Sequence, residues 1–213
     1  MKKSLINWFG LMGIVSFLSY IAAVVFSPLA YPSYNWMEQA VSDLSAVSAP
    51  SKMLWTQLAA LYEICGIVSV TIVCIYVKDN MQNKCLRVGI YLFAVMNWIS
   101  AVGYRMFPLT DAGYLGGFQN MMHLIVTILV VVSSIVSLIV IMVGGYRGHS
   151  YVSLANWALV AFLMMFIGAI GTNVVPKEYF GIAERFSVLA ATGYNAVLGA
   201  YLFMGFRGEK SHF

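Results

Sequence analysis

Ionisable side chains make up only 9% of this chain, so the places where they do occur are the first clue to chemistry. Asp43, Asp111, His123 and Glu184 are candidates for acid–base work, since a positioned carboxylate or imidazole can take or deliver a proton near neutral pH. Arg105 and Arg185 are the residue type that holds phosphate through paired N–H donors. Glu63 and Asn195 lie inside apolar stretches, where an ionised group costs a few kcal/mol unless it meets a partner or water. One histidine with two or three carboxylates can bind a single metal or move a proton on a headgroup. A three-histidine zinc site is not available, because His149 and His212 fall on the opposite side of the chain's topology from His123. HExxH, GxSxG and GxxxxGK[ST] are all absent, which excludes zinc proteases, ordinary serine hydrolases and P-loop enzymes. No motif specifies a cofactor, and whether the chain is an enzyme stays open.

The elements that must carry these residues follow from composition. Of 213 residues, 61% are hydrophobic, against about 45–50% in soluble domains. Six apolar stretches, 7–27, 53–77, 88–106, 121–143, 152–174 and 182–206, are each long enough to cross a hydrocarbon core that needs roughly 20 helical residues. The fold class is an all-α membrane protein, a six-transmembrane-helix bundle forming one domain over 1–213. Only loops remain between the spans, so no soluble or nucleotide-binding module fits. The first stretch follows Lys2 and Lys3 but exceeds a signal-peptide core of about 7–15 residues, and it is read as a retained helix.

Lys and Arg set the orientation. With the N-terminus inside, Lys2, Lys3, Lys78, Lys84, Arg87, Arg147, Arg207 and Lys210 face the cytoplasm, and Lys52, Arg105, Lys177 and Arg185 face out. The chain is therefore read as N-in and C-in, in a prokaryotic plasma membrane. Its basic residues need only anionic lipid as a partner, and no basic domain exists to hold nucleic acid. Cys65, Cys74 and Cys85 are placed where no structural disulfide forms.

The outer loop 28–52 repeats Trp36, Met37, Ala40, Val41, Leu44 and Val47 at helical spacing, opposite Glu38, Gln39, Ser42, Asp43 and Ser45. That pattern predicts an amphipathic surface helix between the first two spans, begun by an Asn35/Glu38 capping box and stopped by Pro50. Gly10, Gly13, Gly168 and Gly171 leave room for close helix neighbours.

Helix faces group the polar residues into three stripes: Glu184 with Asn195, His123 with Thr127 and Ser134, and Asn97 with Ser100 and Tyr104. If the stripes face one another they form a pocket open to the outer side, lined by Asp43, Glu63, Asp111, His123, Glu184 and Arg185. Glu63 is placed near the bilayer midplane, about ten residues into the second span. Each residue also has a plainer reading. Glu184 and Arg185 can cap a helix, Arg105 can reach lipid phosphate, His123 can be a bonded interfacial imidazole, and Asp43 and Asp111 can serve a cap and a turn.

Three functions compete. The first is binding of a lipid headgroup or small polar ligand in the outer pocket, with possible action on it as a further step. The second is a small proton-coupled transporter using Glu63. The third is a non-enzymatic partner subunit of a membrane complex. Oligomeric state is not encoded in any of these features.

The ordered landmarks Val41-Ser42-Asp43-Leu44-Ser45-Ala46, Phe107-Pro108 with Asp111, His123, and Gly181-Ile182-Ala183-Glu184-Arg185-Phe186 resemble the DUF998 family of six-helix bacterial and archaeal membrane proteins. The chain is also distantly similar to DRAM and Frag-type membrane proteins. The resemblance implies the six-helix fold and a shared outer polar site, but no reaction. Glu63 departs from it, standing where the resemblance implies an uncharged polar residue such as Asn.

Overall fold

The computed structural model describes residues 3–111, 116–147 and 149–206; Lys2, Arg207, Lys210 and His212 lie outside the described residues. Among the described residues, eight α-helices build six spans. The first span is α1 (Leu5–Phe9) with α2 (Leu11–Phe26), and the second is α3 (Lys52–Leu58) with α4 (Ala60–Asn80). The other four are α5 (Lys84–Met106), α6 (Phe118–Arg147), α7 (Val152–Val174) and α8 (Phe180–Met204). Among the described residues, six segments are long and apolar enough to cross a membrane, and they overlap all six stretches read from composition.

Neighbouring spans pack in a ring that closes when α2 meets α8, and α4 also touches α8 across it. The shared interior holds Val73, Ile90, Phe93, Leu138, Ile141, Leu154 and Leu198, all fully buried. Ile64, Val95, Ile128, Val132 and Ile167 are exposed, as side chains meeting lipid should be. With six spans both ends come out on the same side, and Asn7 Nδ2 ties them there by donating to Leu202 O at 2.8 Å.

Small residues set the closest crossings. A methyl group on Gly10 would collide with the Gly199 carbonyl and come within 2.6 Å of Phe203 N, so the first and last spans cross backbone to backbone. Gly168 does the same on α7, where an added Cβ would lie 2.6 Å from Ser187 N. Without an apolar solvent difference between lipid and side chain, such close van der Waals packing is what holds spans together.

The predicted surface helix between the first two spans does not form. Residues 31–51 run as turns, with short 3₁₀ segments at Ser27–Ala30 and Ser42–Ser45 flanking or within the loop. The physical reason is competition for the backbone. Asp43 Oδ2 accepts Ala40 N–H at 3.1 Å, Tyr34 Oη donates to Ala40 O at 2.8 Å, and Arg185 takes the Trp36 carbonyl at 2.6 Å. Val47 N and Ser48 N instead pair with Leu109 O and Thr110 O of the loop after α5, at 2.9 and 3.1 Å. Asn35 does start a turn, accepting Met37 N–H at 3.1 Å, but the side chain that returns to its N–H is Gln39, at 2.7 Å, and not Glu38. Leu44, expected on a surface stripe, is fully buried.

Candidate functional site

The polar residues singled out from sequence separate into three groups instead of lining one pocket. The first group is a clasp on the outer loop. Arg185, in the second turn of α8, donates through Nη1 to Trp36 O (2.6 Å), Gln39 O (3.2 Å) and Gly181 O (2.7 Å), and through Nη2 to Tyr34 Oη (2.7 Å). Its neighbour Glu184 accepts Val41 N–H at 2.7 Å. Asp43, 4% exposed, covers the adjacent Ala40 amide, so two carboxylates serve consecutive backbone donors. Close approach is possible because Gly181 packs directly beneath the Gln39 and Trp36 carbonyls, where any side chain would collide. Burial pushes the Tyr34 hydroxyl up to about 12, against the opposing pull of Arg185, so it remains a neutral donor at ordinary pH.

The second group holds the loop after α5. His123 Nδ1 lies 2.8 Å from Phe107 O, and since a carbonyl can only accept, that nitrogen carries the proton. The imidazole is 5% exposed and packs on Tyr104 with ring centroids 4.9 Å apart. One turn earlier, Asn120 Oδ1 accepts from both Thr110 N and Thr110 Oγ1, at 2.9 and 2.8 Å. Asp111 is exposed just beyond Thr110 and is not drawn into either clasp.

The third group is a cleft between the second and third spans. Tyr62, Glu63 and Gly66 of α4 face Asn97, Ser100 and Tyr104 of α5 around a volume of about 30 Å³. At its mouth Arg105 Nε donates to Glu63 Oε2. The arginine side chain is 68% exposed and the glutamate 29%. Glu63 is thus an ion-paired group and not an isolated carboxylate; it lies inside the second span, Lys52–Asn80, where the preceding Tyr62 O accepts from Ser16 Oγ of the first span at 2.6 Å.

Of the three expected stripes, only Asn97, Ser100 and Tyr104 line this cleft. The His123 stripe meets it at Tyr104, whose Oη donates to Thr127 Oγ1 at 3.2 Å, while Thr127 Oγ1 donates to His123 O at 2.9 Å and Ser134 Oγ to Val130 O at 2.7 Å. Asn195 sits behind the cleft wall, its Nδ2 reaching Gly66 O at 3.3 Å while its Oδ1 is buried without a hydrogen-bond partner. Among the described residues no three His, Cys, Asp or Glu side chains converge as ligands for a metal.

Sequence reasoning missed Tyr34, Tyr62, Thr110 and Asn120. Asn120 had a legible signal, lying three residues before His123 on the same face of a helix start. Tyr62 had one too, as the residue beside Glu63. Tyr34 and Thr110 are ordinary loop residues until their distant partners are known.

Six apolar helices closed in a ring, with polar clasps on the loops at one end, define a multi-pass integral membrane protein. The chain belongs to the family described as Protein of unknown function (DUF998), whose model matches residues 14–201. No curated protein and no solved structure matches it.

Proposed function

We propose that the protein binds a lipid headgroup at the outer mouth of the cleft between α4 and α5. The observation that carries this reading is the Glu63–Arg105 ion pair, half open to the surroundings at the edge of a polar cleft between two lipid-facing helices. Polar surface at such a boundary is costly against acyl chains and favourable against a headgroup. A phosphate suits the exposed guanidinium, and an ammonium or hydroxyl suits the Glu63 carboxylate. Exposed Leu61, Ile64 and Val102 on the same helices offer apolar surface to the chains below. At about 30 Å³ the cleft admits roughly one water-sized group, so the headgroup lies across the mouth with only a part of it inserted.

Asp43, Glu184, Arg185 and His123 belong in this reading as the groups that hold the outer loops in place, not as ligands. Native mass spectrometry of the detergent-purified chain tests it. Retained phospholipid is expected on the unaltered protein, reduced about tenfold by Arg105→Gln and by Glu63→Gln, the loss expected when one charge-assisted contact goes. Equal retention by both variants, with unchanged thermal stability, would overturn the assignment.

A further inference from the structure

The ion pair at the mouth of the α4–α5 cleft leaves groups of both signs available. Arg105 gives Nε to Glu63 Oε2, and among the described residues neither its two Nη groups nor Glu63 Oε1 has a hydrogen-bond partner. The pair as a whole is neutral. A purely anionic headgroup is drawn by Arg105 and repelled by Glu63 at the same place, whereas a headgroup with both a phosphate and an ammonium meets an opposite charge at each end.

The room behind the pair narrows the choice further. The cleft holds about 30 Å³, space for roughly one water-sized group, which suits a primary ammonium and is too small for a trimethylammonium. Its lining offers acceptors. Asn97 Nδ2 donates to Phe93 O at 2.9 Å, which leaves the amide Oδ1 to accept, and Ser100 adds a hydroxyl oxygen. A primary ammonium brings three N–H donors to Glu63 Oε1 and these oxygens, while a quaternary one brings none and would leave them desolvated without a donor. The rings of Tyr62 and Tyr104 in the same lining attract either cation, so size and hydrogen bonding make the distinction.

We infer that the lipid taken at this cleft is an aminophospholipid with a primary ammonium, its phosphate on Arg105 and its ammonium on Glu63 and the cleft behind it. This rests on the reading that the cleft binds a headgroup, and names which headgroup. The test exchanges the full detergent-purified chain into an equimolar mixture of lipids with identical acyl chains: phosphatidylethanolamine, its N-methyl and N,N-dimethyl derivatives, phosphatidylcholine and phosphatidylglycerol. Native mass spectrometry reads the retained lipid. Phosphatidylethanolamine is expected to exceed phosphatidylcholine and phosphatidylglycerol by about tenfold, with retention falling along the methyl series. Glu63→Gln should remove the preference for phosphatidylethanolamine over phosphatidylglycerol; Arg105→Gln should lower retention of both and keep that preference. The methyl series needs no variant, so it carries the test if either substitution fails to purify. Equal retention of all five lipids, or phosphatidylcholine or phosphatidylglycerol above phosphatidylethanolamine, would overturn the amine assignment and leave headgroup binding standing. Retention of no phospholipid would overturn both.

Discussion

Arg185 shows what a single side chain does in this protein. Its guanidinium satisfies carbonyls of Trp36, Gln39 and Gly181 and the Tyr34 hydroxyl together, a planar set that an ammonium on a flexible stem cannot serve. Arg185→Lys should therefore destabilise the chain by about 1–3 kcal/mol, as charged hydrogen bonds are lost and carbonyls are left without donors. The check is thermal unfolding followed by size-exclusion chromatography, with faster proteolysis of residues 31–46 in the variant. Tyr34→Phe removes the donor to Ala40 O and should cost about 1 kcal/mol at neutral pH. Its pH dependence has a definite sign. Because the folded hydroxyl is raised to about 12 above its ordinary value of 10.0, its contribution is complete below pH 10 and declines between about 10 and 12. A smaller alkaline loss of stability in Tyr34→Phe than in wild type is the expected result. His123→Ala acts on the loop after α5 by freeing Phe107 O, so lipid retention should fall less than stability does.

At the scale of elements, the outer loop and the glycine crossings carry separable predictions. Residues 31–51 hold an amphipathic pattern but give their backbone groups to Asp43, Tyr34, Glu184, Arg185 and the loop after α5. Hydrogen exchange should find the amides of Val41, Val47 and Ser48 protected, and Glu184→Gln should speed exchange at Val41 selectively. Uniform rapid exchange across the loop would contradict this arrangement. Where α2 and α8 close the ring, Gly199→Ala places a methyl group against the Gly10 carbonyl and 3.1 Å from Gly13 Cα. Backbone atoms on both sides cannot give way as a flexible side chain would, so a cost of about 1–3 kcal/mol is expected in thermal unfolding. Gly193→Ala is the control, because its nearest neighbour atom on another helix would be Phe17 Cε2 at 3.7 Å.

The whole molecule is a ring of six spans whose two ends share one side, with the clasped loops on the other. From the Lys and Arg distribution, the expected orientation has the shared ends facing the cytoplasm. In a cysteine-free background, Asn35→Cys should react with a membrane-impermeant maleimide added to intact cells, and Asn80→Cys only after permeabilisation. The reverse pattern would invert the topology.

The six spans, their order and their approximate limits were legible in the sequence alone, because burial in hydrocarbon demands long runs without charge and that demand is local to each run. The close crossings at Gly10 and Gly168 were legible for a related reason, since a missing side chain marks a place where backbones can meet. The fate of each polar residue was decided only by tertiary structure. Helical spacing placed Asp43 and Leu44 on a surface helix, but donors and acceptors from α8 and from the loop after α5 outcompeted the local i to i+4 bonds. Glu63 looked isolated because its partner Arg105 is 42 residues away. His123 and Glu184 looked like neighbours in one pocket, yet each is committed to a different loop. A side chain's partners depend on how separate helices are rotated and staggered, and no spacing within one helix records that.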